Sequence, residues 1–518
     1  MKREVSRAIK GTWILTIASL FSELMSAIYR IPLQNIVGDR GYFIYQQVYP
    51  IYGIFSVLSL SGLPVVISKT FAQQDGPVAK NKLLKLTFFV LLAGCLALTI
   101  FLWGSARYLA IFMGDPRLYQ EIRAVSLTFL LVPFEATFRG YFQSDLEMTP
   151  SAISQILEQF IRIIVIIGSA ILFGKGFFDL YQMGTIANSG AFIGGLFAVL
   201  LLMVTFIKQR EVFIADDKNI KVKIERGLLL EILLIVVFTG ITIFYQFIDS
   251  FTILRLLLHG GMPVDRAEIL KGVFDRAQPL IQLGIVISLS FVSTIMPQLR
   301  ETNQTNVNKT IIQKMMRVCL WLAVAETAGL VALMPEINTM LFTNADGSLA
   351  LAIYMMSIVI VSFINLMVAI TSGDDEKNLA KLVLFVASLI GKIALNIILI
   401  PRFNIVGAAL ATILSECIIL VGMYLIYDNG VFLLSRDFLI KVISVGLFMG
   451  VVIKILASIS TDYLSLSRGH SILISVVLIP IGIIIYLGLS KKLKILSKSE
   501  WEILPMGEFI TKFMKIED

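Results

Sequence analysis

The chain is poor in charge, in cysteine and in histidine, and each shortage removes a class of function. Only 15% of its 518 residues are Asp, Glu, Lys or Arg. Soluble domains carry roughly 25%, because a folded surface must be wetted, so an ordinary water-soluble globule is excluded. The three cysteines, Cys95, Cys319 and Cys417, lie far apart inside apolar stretches. That spacing excludes a disulfide framework and a thiolate metal site, and they read as reduced packing residues. The two histidines, His259 and His470, are loop residues in no H-E-x-x-H context. No Walker loop, nucleophile elbow or G-x-G-x-x-G turn opens a helix either. Neither an enzymatic role nor a metal or other cofactor is expected.

Apolar length is what the chain has in abundance. Hydrophobic residues make up 57% of it, and the mean hydropathy is +0.85. About fourteen apolar stretches of roughly 20 to 30 residues follow one another, each long enough to cross a bilayer as a helix. They fall near 8–32, 42–71, 82–104, 118–142, 150–173, 178–207, 227–257, 267–298, 310–334, 347–370, 379–401, 404–427, 435–459 and 469–490. The first follows Lys2, Arg3, Arg7 and Lys10 but runs past Ala27, carries Glu23 and Arg30 and has no small-x-small cleavage site. It reads as a retained helix and not as a secretory signal. The expected fold is an all-α integral membrane protein of about fourteen transmembrane helices: an N-lobe at 1–207, a basic linker at 208–226, a C-lobe at 227–428, two extra helices at 429–490 and a polar tail at 491–518.

Positive loops stay on the cytoplasmic side. With the N-terminus inside, the inner segments hold about 28 of the 44 lysines and arginines, and the even span count puts the C-terminus inside as well. The net charge of +8 is then a matter of topology and anionic inner-leaflet lipid, and nucleic acid is not an expected partner. The halves also read as repeats: Glu158 to Arg162 followed by Gly184, and Lys392 followed by Gly407, each set a basic residue ahead of a small-residue helix. Small residues let helices approach closely, and a repeat of six plus six spans is a transporter pattern.

Charges inside the spans are costly unless paired or facing water, so their density implies an aqueous cavity. They include Glu23, Arg30, Glu135, Arg139, Glu158, Arg162, Glu231, Asp249, Asp275, Arg276, Glu326, Lys392 and Glu416. Glu135 with Arg139, and Glu158 with Arg162, are spaced i,i+4 and can each pair on one helix face. Arg30 lies two turns after Glu23; it either snorkels to the outer interface or faces the cavity. Arg276 directly follows Asp275, so the two point to different faces, and a guanidinium free in a cavity suits a bidentate grip on phosphate. Asp249 and Glu416 are candidate coupling or pairing carboxylates, with sodium or proton coupling left open. Tyr42, Tyr45, Tyr49 and Tyr52, with Gln46 and Gln47, form a stripe that reads either as an interfacial aromatic belt or as a wall for sugar rings.

The run Tyr29-Arg30-Ile31-Pro32 through Gly38 to Gly41, then Tyr45-Gln46-Gln47 to Pro50, and Gly62-Leu63-Pro64 to Lys69, resembles the multidrug/oligosaccharidyl-lipid/polysaccharide exporter superfamily. Within it the chain is similar to the Gram-positive polysaccharide-transporter branch that includes stage V sporulation protein B and the MurJ-type lipid II flippases. Arg139 to Gln143, Glu158 to Arg162, Asp275-Arg276 with Pro297, and Lys392 to Gly407 extend the likeness over essentially the whole chain. The resemblance implies a V-shaped pair of six-helix lobes plus two helices that extend a groove for a lipid tail. It implies a flippase that moves an undecaprenyl-diphosphate-linked saccharide from the inner to the outer leaflet of a plasma membrane. Cavity arginines of such proteins grip the diphosphate, and by matching motif Arg276 is one of them. The first-helix pattern departs from the family, with Glu23 where a base is usual, so Arg30 has to supply that charge. Candidate substrate contacts are Arg30, Arg276, Arg162, Lys392, Arg139, Tyr45 and Gln46; candidate coupling or pairing acids are Glu23, Asp249, Asp275, Glu158 and Glu416. One chain already holds both lobes, so a monomeric transport unit is expected. The competing readings are a cation-coupled multidrug antiporter on the same scaffold and a non-transporting scaffold for a cell-envelope synthase.

Overall fold

The protein is represented by a computed structural model that describes all residues except 1, 75, 210–227, 289–304, 372–374, 428–431, 433, 464–466, 503, 505–506, 508–510 and 513–518. Among the described residues every regular element is a helix. Ten of these helices are long and apolar enough to cross a membrane. Two of the ten are bent and each holds two of the expected spans.

The first is the 60-residue run Trp13–Ala72. It turns at Gly38, whose φ of 69° and ψ of 179° suit a residue without a Cβ. The second is Asn378–Ile426, 49 residues long, which turns at Asn404 (φ 52°) just after Pro401. Proline ends the regular hydrogen-bond ladder, and asparagine tolerates positive φ better than most residues. Expected span four is absent from the ten because it is interrupted: Pro116–Leu118 and Leu127–Leu131 are 3-10 turns flanking the short helix Tyr119–Ser126, and Val132–Ser144 follows. Span eight is interrupted too. Its helix Val264–Asp275 ends one residue before Arg276, and 277–288 are helical again. The expected end of that span, at Thr294 to Arg300, and nearly all of the basic linker lie outside the described residues, as does the side chain of Glu231.

The chain forms two compact units, Met1–Gly272 and Val273–Asp518. In the first, Thr149–Gly174 and Leu180–Gln209 pack against each other as a hairpin. Glycine makes that approach possible: a methyl group at Gly194 would lie 2.5 Å from the Glu158 carbonyl oxygen, and one at Gly190 would lie 3.2 Å from that of Arg162. The outer faces are apolar and open, as Phe89 (62% exposed) and Ile100 (63%) on the helix Gly76–Met113 illustrate. Such surface needs lipid and not water.

In the second unit Thr305–Ala332 packs on Arg436–Tyr463, which in turn packs on Arg468–Lys492. Trp321 holds this corner together. Its Nε1 donates to Ser490 Oγ (2.9 Å), its carbonyl accepts from Tyr486 Oη (2.8 Å), and its ring meets Trp501 edge-on with centroids 5.2 Å apart. Trp501 closes the short helix Lys498–Trp501, which a Ser497–Glu500 capping box starts and the Arg317–Glu500 ion pair (2.7 Å) anchors.

Candidate cavity arginines and their partners

The helix Arg30–Ser56 carries its polar stripe inward. Tyr42, Tyr45, Tyr49 and Tyr52 are all buried, as is Gln46. The interfacial-belt reading of this stripe is therefore corrected: a belt residue keeps its hydroxyl at the membrane surface, whereas these rings enclose guanidinium groups.

Arg162, on the helix Thr149–Gly174, is the centre of the enclosure. It donates to Tyr29 Oη (2.7 Å), Tyr45 Oη (3.1 Å) and Gln159 Oε1 (3.1 Å). Its guanidinium carbon lies 3.8 Å from the centroid of the Tyr52 ring. Tyr29 and Tyr45 share a hydrogen bond of 2.7 Å, and Gln159 Nε2 donates to Tyr52 Oη (3.0 Å). Arg30 joins the same group, with its guanidinium carbon 4.4 Å from the Tyr49 ring centroid. It is 1% exposed, so it does not snorkel to the interface. Its Nε and Nη2 are buried with no hydrogen-bond partner, and so is the Oε1 of Gln46 on the same helix. Neither Arg30 nor Arg162 forms an ion pair among the described residues. Two positive charges thus sit in a buried nest whose contacts are phenols and an amide.

Arg139 is handled differently. It pairs with Glu135 (2.9 Å), at the expected i,i+4 spacing, and also with Glu158 (3.0 Å) from the neighbouring helix. Its remaining donors reach Ser154 Oγ (3.1 Å) and the Ser59 carbonyl (3.0 Å). The expected Glu158–Arg162 pair is therefore not formed. Glu158 turns to Arg139, and Arg162 is left to the tyrosines.

Within the second unit, Arg276 is fully buried at the break in its helix. It donates to Asn338 Oδ1 (3.0 Å) and Asn344 Oδ1 (2.8 Å). The guanidinium is thus held, not free as its position beside Asp275 suggested. Lys392 is buried and donates to the Ala408 carbonyl (3.2 Å) and Thr412 Oγ1 (2.5 Å) across the Asn404 turn. Arg162 and Lys392 are therefore alike in place: each is the buried base of a tightly packed hairpin. Asp249 in the first unit, and Asp275 and Glu416 in the second, are buried. Glu23 is half-buried. The second unit also contains a cavity of about 510 Å³ between Thr305–Ala332, Arg436–Tyr463 and Arg468–Lys492, the place expected for a lipid-tail groove.

Sequence reasoning missed Tyr29, Gln159, Asn338 and Asn344 as partners. Tyr29 had a signal, since it adjoins Arg30, and Gln159 stands three residues before Arg162 on the same face. The asparagines had none, because they lie more than sixty residues from Arg276 in sequence.

Residues 8–303 match the family described as "Polysaccharide biosynthesis protein". The chain is 34% identical over 520 aligned positions to the "Uncharacterized membrane protein YabM" of Bacillus subtilis, covering 98% of this chain and 96% of the relative. It is 25% identical to the "Lipid II flippase MurJ" of Bacillus subtilis, over 96% and 98% of the two chains. A solved structure of a "Lipid II flippase MurJ, inward closed conformation" superposes with a TM-score of 0.67 at 16% identity, covering 92% of this chain and 98% of that one.

Proposed function

Because this chain belongs to the polysaccharide biosynthesis protein family, within the multidrug/oligosaccharidyl-lipid/polysaccharide exporter superfamily, we propose that it is a flippase for a polyprenyl-diphosphate-linked saccharide in a bacterial plasma membrane. The observation that carries this reading is the nest around Arg30 and Arg162. Two buried guanidiniums without a carboxylate have an unmet need for negative charge, and a buried charge lacking a partner costs several kcal/mol. A diphosphate supplies that charge together with acceptor oxygens in the fork geometry that guanidinium favours. Arg30 Nε and Nη2 are donors in waiting. The tyrosine rings and Gln46 offer stacking faces and one acceptor for a sugar. A drug antiporter needs the opposite, an acidic and aromatic cavity for cations.

Transport then proceeds by alternating access. The diphosphate enters from the cytoplasmic side, where the lysine-rich loops lie, and charge neutralisation favours the closed state. A membrane potential positive outside drives the anion outward by about 2.3 kcal/mol per charge per 100 mV. The prenyl tail stays apolar throughout and is matched by the groove of the second unit, while Arg276 and Lys392 are that unit's candidate anion contacts. No bond is made or broken, and no catalytic residue is assigned.

The test is leaflet accessibility of a labelled polyprenyl-diphosphate sugar in proteoliposomes under an imposed potential. Wild type is expected to move the lipid, and Arg30→Gln and Arg162→Gln to lose most of that movement while remaining folded. Unchanged movement in both variants would remove the anion role of the nest. No movement of any such lipid, with export of a cationic dye, would replace the flippase by an antiporter.

A further inference from the structure

The cavity in the second unit has one polar irregularity. Three of its lining side chains carry polar atoms: Trp321, Tyr486 and Glu326. The first two are satisfied, because Trp321 Nε1 donates to Ser490 Oγ (2.9 Å) and Tyr486 Oη donates to the Trp321 carbonyl (2.8 Å). Glu326 is satisfied by half. Its Oε2 accepts from Ser288 Oγ (3.1 Å), and its Oε1 is buried with no partner. The rest of the wall is aliphatic or thioether, including Leu330, Ile453 and Met449. A lone acid in such a wall is out of place, since buried polar atoms are nearly always hydrogen-bonded and a carboxylate at membrane depth is costly without a counter-charge.

We propose that this cavity binds a lipophilic amine, whose protonated nitrogen pairs with Glu326 Oε1 and whose alkyl body fills the aliphatic wall. Three features favour that occupant over a plain hydrocarbon chain. A hydrocarbon leaves Oε1 unmet, whereas an ammonium supplies both the donor and the opposite charge. The cavity, at about 510 Å³, lies within the roughly 300–1,000 Å³ of small-molecule sites. Among the described lining residues the acid stands alone, so the site matches a single positive charge. Pairing with an occupant requires the Glu326 side chain, which lines the cavity, to turn its buried Oε1 into that space. The site belongs wholly to the second unit and its chemistry is independent of the arginine nest, so it stands or falls apart from the flippase reading. An amine seated there occupies the space proposed for the lipid tail and would block it.

Trp321 lines the cavity and Trp501 packs against the Trp321 ring, so bromine quenching of tryptophan fluorescence reads occupancy. The other two tryptophans, Trp13 and Trp103, are exposed and are replaced by Phe in the purified full chain. The probes are ω-bromododecylamine and the neutral ω-bromododecanol. Saturable quenching by the amine is expected at a concentration roughly tenfold or more below that for the alcohol, as befits a hydrogen bond to a charged group. Glu326→Gln is expected to erase the difference, and Ser288→Ala, which keeps the carboxylate, to retain it. Equal quenching by amine and alcohol in the unaltered cavity would overturn the proposal and leave a plain hydrocarbon site. So would an amine preference that survives Glu326→Gln.

Discussion

Arg139 and Arg162 lie in the same unit, are equally buried and serve opposite ends. Arg139 faces two carboxylates, a serine hydroxyl and a carbonyl, and its charge is spent inside the protein. Arg162 faces two phenols and an amide, with Arg30 beside it, and its charge remains unneutralised. Glu158 decides between them. It sits one turn from Arg162 on the same helix, yet gives its carboxylate to Arg139 (3.0 Å). A shared acid thus divides three arginines into a fixed strut and a pair still able to take an anion. Burial by itself does not mark a binding residue; the character of the partners does.

The sharpest way to break this contrast is to remove the strut. Arg139→Met leaves Glu135 and Glu158 buried without their cation, and is expected to destabilise the protein by about 3–5 kcal/mol. Denaturation in detergent reads this as a large fall in midpoint. If instead the protein keeps its stability and loses only transport, Arg139 belongs with the binding arginines and the division fails.

Arg162→Gln sharpens the contrast from the other side. No carboxylate is orphaned and an unpaired buried charge is removed, which offsets the lost hydrogen bonds, so any stability loss is expected to stay within about 1 kcal/mol. Binding of a soluble short-chain prenyl-diphosphate sugar, followed by calorimetry, is expected to weaken by about 1.5–3 kcal/mol, the worth of hydrogen bonds to a charged group. A variant that binds normally but unfolds early would make Arg162 a second strut.

Between these lies a steric test. Gly194→Ala places a methyl group 2.5 Å from the Glu158 carbonyl oxygen, so the helix carrying both Glu158 and Arg162 must shift. Overpacking of this kind costs about 1–3 kcal/mol. Stability and substrate binding are expected to fall together, since one helix carries members of both clusters. A loss confined to either would show that the two clusters move separately.

Much of this was legible in the sequence, and the illegible part has one cause. Hydropathy marks the spans, even the pairs that fuse through Gly38 and Asn404, because lipid demands apolar length whatever the neighbours do. The i,i+4 rule gives Glu135–Arg139 correctly, because both ends lie on one helix. It fails for Glu158–Arg162 because it cannot see a donor arriving from another helix. Arg139 has five N–H donors in a fork and can hold two acids at once, which no spacing rule anticipates. The tyrosine stripe was visible as a stripe, but which way it faced depended on packing with Thr149–Gly174. Where a residue is buried by helices distant in sequence, its chemistry becomes readable only after the fold is known.

The same distinction applies, at smaller scale, to Arg276. Two of its hydrogen bonds run to the side chains of Asn338 and Asn344, neutral acceptors from a segment far along the chain. Asn338 is also tied to its own segment, donating to the Asp346 carbonyl (2.8 Å) and to Ser348 Oγ (3.1 Å). Asn338→Ala therefore removes one acceptor from the guanidinium while Asn344 (2.8 Å) keeps it in place. The expected stability loss is about 0.5–1.5 kcal/mol, the net value of a hydrogen bond. Substrate binding should hold or tighten slightly, because an arginine that loses a neutral acceptor has more of its charge to offer a phosphate. Weaker binding in Asn338→Ala, with stability unchanged, would mean that the asparagine positions Arg276 for its ligand, and the comparison would then separate arginines held for use from arginines already used.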